Sequence, residues 1–346
     1  MPLRLHQRLH QPVVRLAFIG MVLLAALMLL SLSAGGTAAV GWRDAVAALA
    51  GPQWAGQMGL APASEMAQAI VRDLRLPRVL LALLVGAALA MVGGLLQTST
   101  RNDLADPFLF GLSSGASAGA VAVIAWAGQS LGLWTLPLAT FAGALLASAA
   151  VLLLVRRASA QGPAQTVLAG LAISFLFGAV TQVLVFAGDQ RAAQAVLFWS
   201  LGGLGLARWD NLWLPLAGLV LLAVFAVRRH RALDALLAGD DTAHSLGVAP
   251  ERLRVQLFVV AALATASCVA LTGVIGFVGL MVPHLARRLA GPLHRSFLPV
   301  AALSGAALLL ASDLVARTLL AGQELPVGII TAGLGAVFVM VLVNRR

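Results

Sequence analysis

The sequence predicts an all-α integral membrane protein with about ten membrane-spanning helices and both termini in the cytoplasm. Of its 346 residues, 60% are hydrophobic and only 10% are charged, against roughly 25% in soluble domains. A span needs ~20 apolar residues, because ~30 Å of hydrocarbon is crossed at ~1.5 Å per residue. This composition excludes a soluble globular protein, a disordered chain and a nucleic-acid binder.

The apolar runs number nine, and one of them is too long for a single crossing. They are residues 16–40, 79–97, 108–128, 134–155, 166–187, 210–227, 255–286, 298–317 and 326–343. The first run exceeds the 7–15 residues of a signal-peptide core, so we expect it to be retained as a span. The uncharged run 255–286 would form a helix of ~48 Å, and we expect it to break at Thr272-Gly273. The break brings the total to ten spans.

The distribution of arginine supports this topology. With the N-terminus in the cytoplasm, ten spans place 16 of the 23 arginines on the cytoplasmic side, together with six of the 13 acidic residues. The whole net charge of +10 then lies on the cytoplasmic face. Without the break, Arg287 and Arg288 would move to the outer face. We therefore predict one transmembrane unit over residues 1–346, with its longest cytoplasmic loop at 228–254.

Two spans carry small residues at every fourth position. These are Gly86, Ala90 and Gly94 in the second span and Gly111, Gly115 and Gly119 in the third. Small residues on one helix face let helix backbones approach, which drives association in lipid. We expect both faces to pack closely against neighbouring helices.

The residue types limit the chemistry that the chain can perform. It has no lysine, so it cannot form a Walker A loop, and any ATP it depends on is hydrolysed by another polypeptide. Its one cysteine, Cys268, excludes an intrachain disulfide. Asp313 is the acidic residue closest to mid-span, and Arg317 follows one turn later, so the two are expected to neutralise each other. We predict no catalytic, cofactor or metal site.

Two charged segments exceed what simple loops need. Arg75-Leu76-Pro77-Arg78 starts the second span on the outer face, where two arginines oppose the positive-inside rule. They either snorkel to the interface or receive an acidic partner. The loop 228–254 contains a helix stop at Gly239-Asp240 and another at Gly247, which predicts two short amphipathic helices. Such helices either lie on the membrane or act as lever arms for a soluble partner.

These segments and several others follow one another in a recognisable order. They are Arg75 to Arg78, Gly86 to Ala90, Gly93 to Gln97, Asn102 to Pro107, Gly111 to Ala116, Leu246 to Val248, Arg252 to Arg254, Gly273 to Gly279, Pro283 to Arg287, Asp313 to Arg317 and Glu324 to Gly328. In this order they resemble the permease family of type II ABC importers for iron-siderophores, haem and cobalamin. The matches run from about residue 72 to 336. Asp103 and Val337 depart from the family pattern.

The resemblance implies an architecture and a set of partners. Spans two to five and seven to ten would form an inverted repeat, and two copies of the chain would enclose the substrate path in a bacterial inner membrane. Two cytoplasmic ATPase subunits would bind ATP and Mg, and a periplasmic binding protein would dock above. The chain itself would bind no cofactor and no nucleic acid. A proton-coupled secondary transporter is the alternative from another class, and an intramembrane enzyme is a third.

The resemblance also assigns three functional surfaces. The binding protein would dock on Arg75, Arg78 and Arg317. The ATPase would contact Ala238, Gly239, Asp240, Ala243, Leu246 and Gly247. The cytoplasmic gate would lie where Asn102 and Leu104 meet Pro163, Ala164 and Gln165.

The substrate path is expected to be apolar, with a few hydroxyl and amide groups. We assign to it Ser113, Ser114, Ser117, Thr181, Gln182 and Arg191, of which Arg191 would bind a carboxylate such as a haem propionate. The chain has no tyrosine, and its spans carry no mid-membrane charge. Such a path favours a large, flat and mostly apolar ligand, and haem is our preferred substrate. Ferric siderophores and cobalamin remain open.

Overall fold

The structure, a computed structural model, describes residues 3–34, 40–127, 132–157, 163–188, 190–320 and 322–344. In these ranges the regular structure is helical, apart from an isolated bridge between Leu320 and Gln323. The α-helices are α1 (Leu3–Ser33), α2 (Trp42–Ala50), α3 (Pro52–Gln57), α4 (Glu65–Ala69), α5 (Leu76–Thr100), α6 (Leu112–Ala122), α7 (Thr135–Arg157), α8 (Pro163–Phe186), α9 (Gln190–Ser200), α10 (Trp213–Leu237), α11 (Asp240–Ser245), α12 (Pro250–Thr272), α13 (Val278–Ala290), α14 (His294–Thr318) and α15 (Val327–Asn344).

Seven helices in the described part of the chain are long and apolar enough to cross a membrane. They contain α5, α7, α8, α10, α12, α14 and α15. Phe18–Ser33 and Leu112–Trp126 are shorter apolar helices, and α13 accounts for the remaining predicted span. The all-helical membrane fold is therefore confirmed. The side of the membrane on which the termini lie stays a prediction.

The predicted break in the run 255–286 is confirmed. α12 ends at Thr272, and Gly273 follows with a φ of 65°. A side chain at Gly273 would overlap the carbonyl oxygen of Trp199, so both the backbone conformation and the available space favour glycine here. α13 then begins at Val278 and is only about 20 Å long, shorter than the ~30 Å of hydrocarbon.

The helix contacts follow the pattern of a repeat. α5 packs against α14, and α12 packs against α7. α6 contacts α7 and α8, whereas α13 contacts α14 and α15. If α5, α6, α7 and α8 are matched in order with α12, α13, α14 and α15, each of these helix contacts has an equivalent contact in the other half of the chain. This symmetry is what the predicted repeat of spans two to five and seven to ten requires.

Glycines set the closest approaches between the helices, as the small-residue spacing predicted. A Cβ on Gly86 would overlap the backbone of Gly305 in α14, and a Cβ on Gly93 would overlap Gly279 in α13. In the third span, Gly115 lies against Gly143 of α7 in the same way. Lipid supplies no hydrophobic drive between apolar helices, so these backbone contacts bring the dispersion energy that holds the bundle together.

We expect Gly93→Ala to destabilise the folded chain by ~1–3 kcal/mol, because the new Cβ meets rigid backbone that cannot move aside. Thermal unfolding in detergent, followed by tryptophan fluorescence, measures the effect. Gly20→Ala in α1 is the matched control, since a Cβ there meets nothing within 4 Å. Equal melting temperatures for the two variants would contradict the packing argument.

Candidate functional site

A buried carboxylate joins two arginines at the end of α14. Asp313 is 0% exposed and accepts hydrogen bonds from Arg78 Nε and from Arg317 Nε, both at 3.0 Å. Sharing the carboxylate between two guanidinium groups compensates for a buried charge that would be costly alone. The predicted Asp313–Arg317 pair is confirmed. Arg78 is an unpredicted third member that ties α5 to α14.

Arg75 and Arg317 also cap the C-terminal end of α1. Arg75 Nη1 donates to the carbonyls of Leu32 at 2.7 Å and Ser33 at 3.0 Å, and Arg317 Nη2 donates to the carbonyl of Ser31 at 3.2 Å. The last four carbonyls of a helix lack intrahelical partners, and the helix dipole makes this end partially negative. The two guanidinium groups satisfy these carbonyls and fix α1 against the bundle.

These contacts change how the predicted docking surface is interpreted. Arg75 and Arg317 are only 7% and 6% exposed, and they bind α1 and Asp313 instead of facing outward. A docking role for these two arginines stays a prediction that requires the cap on α1 to open. Arg78 reaches the surface, where it pairs with the exposed carboxylate of Glu324 at 2.7 Å.

A tight polar turn joins α5 to the segment before α6. Asn102 Oδ1 accepts a hydrogen bond from the Leu104 amide at 2.9 Å. Asp106 Oδ1 accepts one from the Phe108 amide at 2.9 Å, which caps the 3-10 turn that follows. The other oxygen, Asp106 Oδ2, is buried and has no partner among the described residues. Burial raises the pKa of Asp106 to about 6.

The predicted gate combines this turn with the start of α8. Asn102 and Leu104 are exposed in the turn, and the neighbouring 3-10 turn packs against α8. Pro163, Ala164 and Gln165 form the first turn of α8, but the side chains of Pro163 and Ala164 lie outside the described part. The segment that follows the turn therefore packs on α8, where Gly111 lies against Ile173, and a gate between the turn and residues 163–165 stays a prediction.

Gln97 and Arg287 anchor the turn to α13, a role that the sequence did not reveal. Gln97 Nε2 donates to the carbonyl of Gly279 at 3.3 Å, and Arg287 Nη1 donates to Gln97 Oε1 at 2.6 Å. Arg287 Nη2 also donates to the carbonyl of Gly94 at 3.1 Å, and its guanidinium lies 3.5 Å from the carboxylate of Asp103. Both residues occur in the motifs named above, but no sequence spacing shows that they meet.

The segment 228–254, predicted to be cytoplasmic, differs from the predicted pair of short helices. α10 continues to Leu237, so the first predicted helix is the end of a long one, and only α11 is short. The bend itself is confirmed, because Gly239 has a φ of 117° between Ala238 and Asp240. Gly247 also has a positive φ, of 78°, and ends the second helix as predicted.

Asp240 fixes α11 to the rest of the chain. It accepts hydrogen bonds from Arg254 Nη1 at 3.0 Å and Nη2 at 2.7 Å, and it pairs with Arg101 at the end of α5. Arg254 Nε in turn donates to the carbonyl of Ser99 at 3.0 Å. The Arg254 guanidinium holds the pKa of Asp240 below its ordinary value. The segment is therefore linked to both α5 and α12.

The residues of α11 that were predicted to contact the ATPase fall into two sets, one buried against the chain and one exposed. Ala243 is 0% exposed and faces the chain itself, so its contact with a partner stays a prediction that requires α11 to move away from the bundle. Leu246 is 66% exposed, and Gly247 is exposed beside it. An exposed leucine next to a glycine forms an apolar contact surface that a partner groove can cover. Leu246 and Gly247 are thus accessible to a partner, and the ATPase contact at these residues stays a prediction.

A buried histidine connects three helices beneath this segment. His294 begins α14 and is 1% exposed. Its Nδ1 lies 2.6 Å from Asp234 Oδ1 of α10, and its Nε2 lies 2.9 Å from Thr98 Oγ1 of α5. An ionised carboxylate only accepts hydrogen bonds, so Nδ1 carries a proton. The end of α10 is therefore attached to α5 through side chains that the sequence did not single out.

The predicted path residues with described side chains lie on α6 and α8, which pack against each other. They are Ser113, Ser114 and Ser117 on α6 and Thr181 and Gln182 on α8. Ser114 Oγ and Thr181 Oγ1 donate to carbonyls nearby in the chain, at 3.0 and 2.8 Å, and Gln182 is exposed. The side chain of Arg191 lies outside the described part.

Comparison with protein families gives one match that covers nearly the whole chain. Residues 23–345 match the model of the FecCD transport family. A solved metal-chelate type ABC transporter, in an inward-facing conformation, superposes with a TM-score of 0.80 at 29% identity. The superposition covers 96% of this chain and 99% of that one.

Curated relatives carry different cargo names. The cobalamin import system permease protein of Halobacterium salinarum is 42% identical, over 82% of this chain and 75% of its own. The hemin transport system permease protein of Yersinia pestis is 40% identical, over 79% and 83%. The iron(3+)-hydroxamate import system permease protein of Bacillus subtilis is 34% identical, over 80% and 84%.

We expect the stability of the chain to rise as the pH falls through about 6, because the charged form of buried Asp106 is the disfavoured one. The cost is largest above this pH, declines as the pH falls from about 6 toward the ordinary pKa of an aspartate, and is absent below that value. Asp106→Asn keeps the cap and should melt at the same temperature at about pH 7.5 and about pH 5. If the melting temperature of Asp106→Asn depended on pH as that of the parent does, the titrating group would be a residue other than Asp106.

We expect Leu246→Asp to leave the fold intact but to release the ATPase, because Leu246 is 66% exposed and lies on the surface predicted to meet the ATPase. Co-purification of the ATPase with the permease measures this loss. Leu206→Asp, in the loop before α10 and 43% exposed, is the matched control. Retention of the ATPase by Leu246→Asp at the level of Leu206→Asp would place the contact elsewhere.

Proposed function

The chain belongs to the FecCD transport family, and on that premise we propose that it carries haem from the periplasm to the cytoplasm as one half of a homodimer. It is a multi-pass inner-membrane permease of an ABC importer for iron chelates, haem or cobalamin. It is a transport component and not a catalyst, since ATP hydrolysis belongs to a separate subunit. Haem and the homodimer are the parts that we propose.

The observation that carries the transport mechanism is the attachment of α11. Asp240 joins this exposed short helix to Arg101 at the end of α5 and to Arg254 in α12. Arg101 precedes the predicted gate turn, which contains Asn102 and Leu104. We propose that movement of the ATPase under Leu246 is passed to this turn through Asp240. The gate at Pro163, Ala164 and Gln165 then opens or closes with it.

The homodimer is supported by the surfaces of α8 and α15. Phe175 and Phe186 on α8 are 76% and 92% exposed, and Val337 and Met340 on α15 are 57% and 59% exposed. Lipid or a second copy of the chain can cover such apolar surface. We propose that the second copy covers part of it, with the path residues of α6 and α8 near the shared axis.

The choice of haem rests on the predicted path and on one relative. Among the described path residues, Ser114 and Thr181 donate their hydroxyl groups to carbonyls within their own segments, which reduces the polarity that they present and suits a large flat ligand. The relative named for hemin is 40% identical. The 42% identical relative named for cobalamin favours cobalamin as the second candidate. A ferric siderophore is the third.

Uptake by the importer in proteoliposomes decides between these substrates. The permease, its ATPase and its binding protein are offered hemin, cyanocobalamin or a ferric hydroxamate, and the ATP-dependent uptake of each is measured. We expect hemin uptake to exceed that of the other two by at least about tenfold, which corresponds to 1.4 kcal/mol of discrimination. Preferential uptake of cyanocobalamin or the hydroxamate would overturn the haem proposal and leave the importer class unchanged.

We also propose that the binding protein docks over Arg78, through a carboxylate that competes with Glu324. A charge-assisted contact of this kind contributes ~1.5–3 kcal/mol. Arg78→Gln leaves Asp313 paired with Arg317 and should therefore weaken binding-protein association by at least about tenfold and make the remaining affinity less sensitive to salt. Arg43→Gln, at another outer arginine by the predicted topology, is the control. An unchanged affinity at low salt would argue against docking at Arg78.

A further inference from the structure

An open groove runs between α10 and α12 on the outside of the bundle. It has a volume of 460 Å³ and is lined by apolar side chains that include Leu221 and Val224 of α10 and Val255 and Val259 of α12. Leu221 and Val224 are 40% and 43% exposed, and Val259 is 39% exposed. The volume falls within the ~300–1,000 Å³ of small-molecule sites. Its walls match a hydrocarbon chain.

Two arginines close one end of the groove. Arg228 and Arg229 line it together with Gln256, and both arginines are exposed. Within the described part of the chain, none of the ion pairs involves either of them. Two adjacent guanidinium groups without a carboxylate form a site for an anion with several oxygens, such as a phosphate.

The position of these arginines along α10 places them at the edge of the hydrocarbon. The apolar part of α10, from Trp213 to Val227, is about 22 Å long, which is shorter than the ~30 Å of the bilayer core. With Trp213 at one interface, Arg228 and Arg229 come before the opposite interface is reached. Guanidinium groups at this depth must reach toward headgroups or bind an anion that comes down to them.

We propose that this groove binds one anionic phospholipid from the cytoplasmic leaflet, with an acyl chain between α10 and α12 and the phosphate on Arg228 and Arg229. The apolar walls require a hydrocarbon chain, and the unpaired arginines require negative charge. An anionic lipid supplies both in the orientation that the groove dictates. The lipid would hold the end of α10 that leads into α11, so it would support the segment that transmits the ATPase movement.

Lipid retention by the purified full chain tests the proposal. The chain is reconstituted in vesicles of phosphatidylcholine and phosphatidylglycerol, extracted, and analysed for bound lipid by native mass spectrometry. We expect the parent to retain phosphatidylglycerol selectively, and we expect R228Q/R229Q to retain about tenfold less phosphatidylglycerol than the parent. R231Q/R252Q removes two exposed arginines that do not line the groove, and it should retain as much as the parent.

A second variant tests the apolar part of the site separately. Val259→Trp fills the groove and keeps both arginines, so it should also lose the selective retention. Equal losses in R231Q/R252Q and R228Q/R229Q would show general charge attraction and overturn the site. Unchanged lipid retention in Val259→Trp would show that the acyl chain does not lie in the groove. If Val259→Trp does not fold, the comparison of R228Q/R229Q with R231Q/R252Q decides the proposal.

Two further arms exclude other occupants. Inorganic phosphate should not displace the bound lipid, and displacement would mean that the arginines recognise a free anion. Cross-linking of Val259→Cys between copies would show that a second chain covers the groove, and would also overturn the proposal. The hemin and cyanocobalamin uptake experiment does not depend on any of these outcomes.

Discussion

The close backbone contact of α5 with its neighbours is the constraint on which the rest of the structure depends. Gly86 and Gly93 meet the backbones of Gly305 and Gly279, so no side chain separates these helices. In lipid, apolar side chains gain little by leaving the solvent, and packing at this distance supplies the attraction instead. α5 is therefore largely buried among the other helices. A segment that binds to either end of α5 is consequently fixed to the whole bundle.

The two ends of α5 carry the charged groups to which we assign the proposed transport roles. At one end, Arg78 binds buried Asp313 and reaches Glu324 at the surface. At the other end, Arg101 binds Asp240 of α11. An isolated exposed ion pair contributes only ~0.2–1 kcal/mol. Arg254, however, binds Asp240 with two nitrogens and the Ser99 carbonyl with a third, so the link is a network.

The same network explains why Ala243 turns inward. α11 is too short to be stable by itself, so it must bury one face against the chain. Ala243 is that face, which leaves Leu246 as the exposed apolar residue. The Asp234–His294–Thr98 contacts fix the preceding part of α10 to α5 in the same region. The proposed ATPase contact therefore lies on a segment that is attached to the bundle by three sets of side-chain contacts.

The sequence predicts the features that depend on composition and local conformation. The number of spans, the break at Gly273 and the bend at Gly239 follow from apolar length and from the φ values that glycine allows. The small-residue faces follow from spacing. The motif order is sufficient to indicate the family.

Composition and residue spacing do not predict contacts between side chains that lie far apart in the sequence. Nothing in the spacing shows that Arg75 binds the carbonyls at the end of α1, which lie more than 40 residues away. The apolar run that ends at residue 227 predicts a loop from Arg228 onward, whereas α10 continues through Arg228 and Arg229 to Leu237. A charged residue ends the apolar span and does not interrupt the helical backbone.

The distance between Leu104 and Asp241 tests the central claim that α11 and the turn after α5 move as one body. Both residues are exposed, and the native Cys268 is buried, so cysteines at 104 and 241 can be spin-labelled selectively while the proposed ATPase contact at Leu246 stays unchanged. Pulsed electron paramagnetic resonance then measures the distance between the two labels of one chain in the reconstituted importer, with and without trapped ATP. The account predicts the same narrow distribution in both states. A shift or a broadening with ATP would show that the two segments move independently, and it would contradict the account.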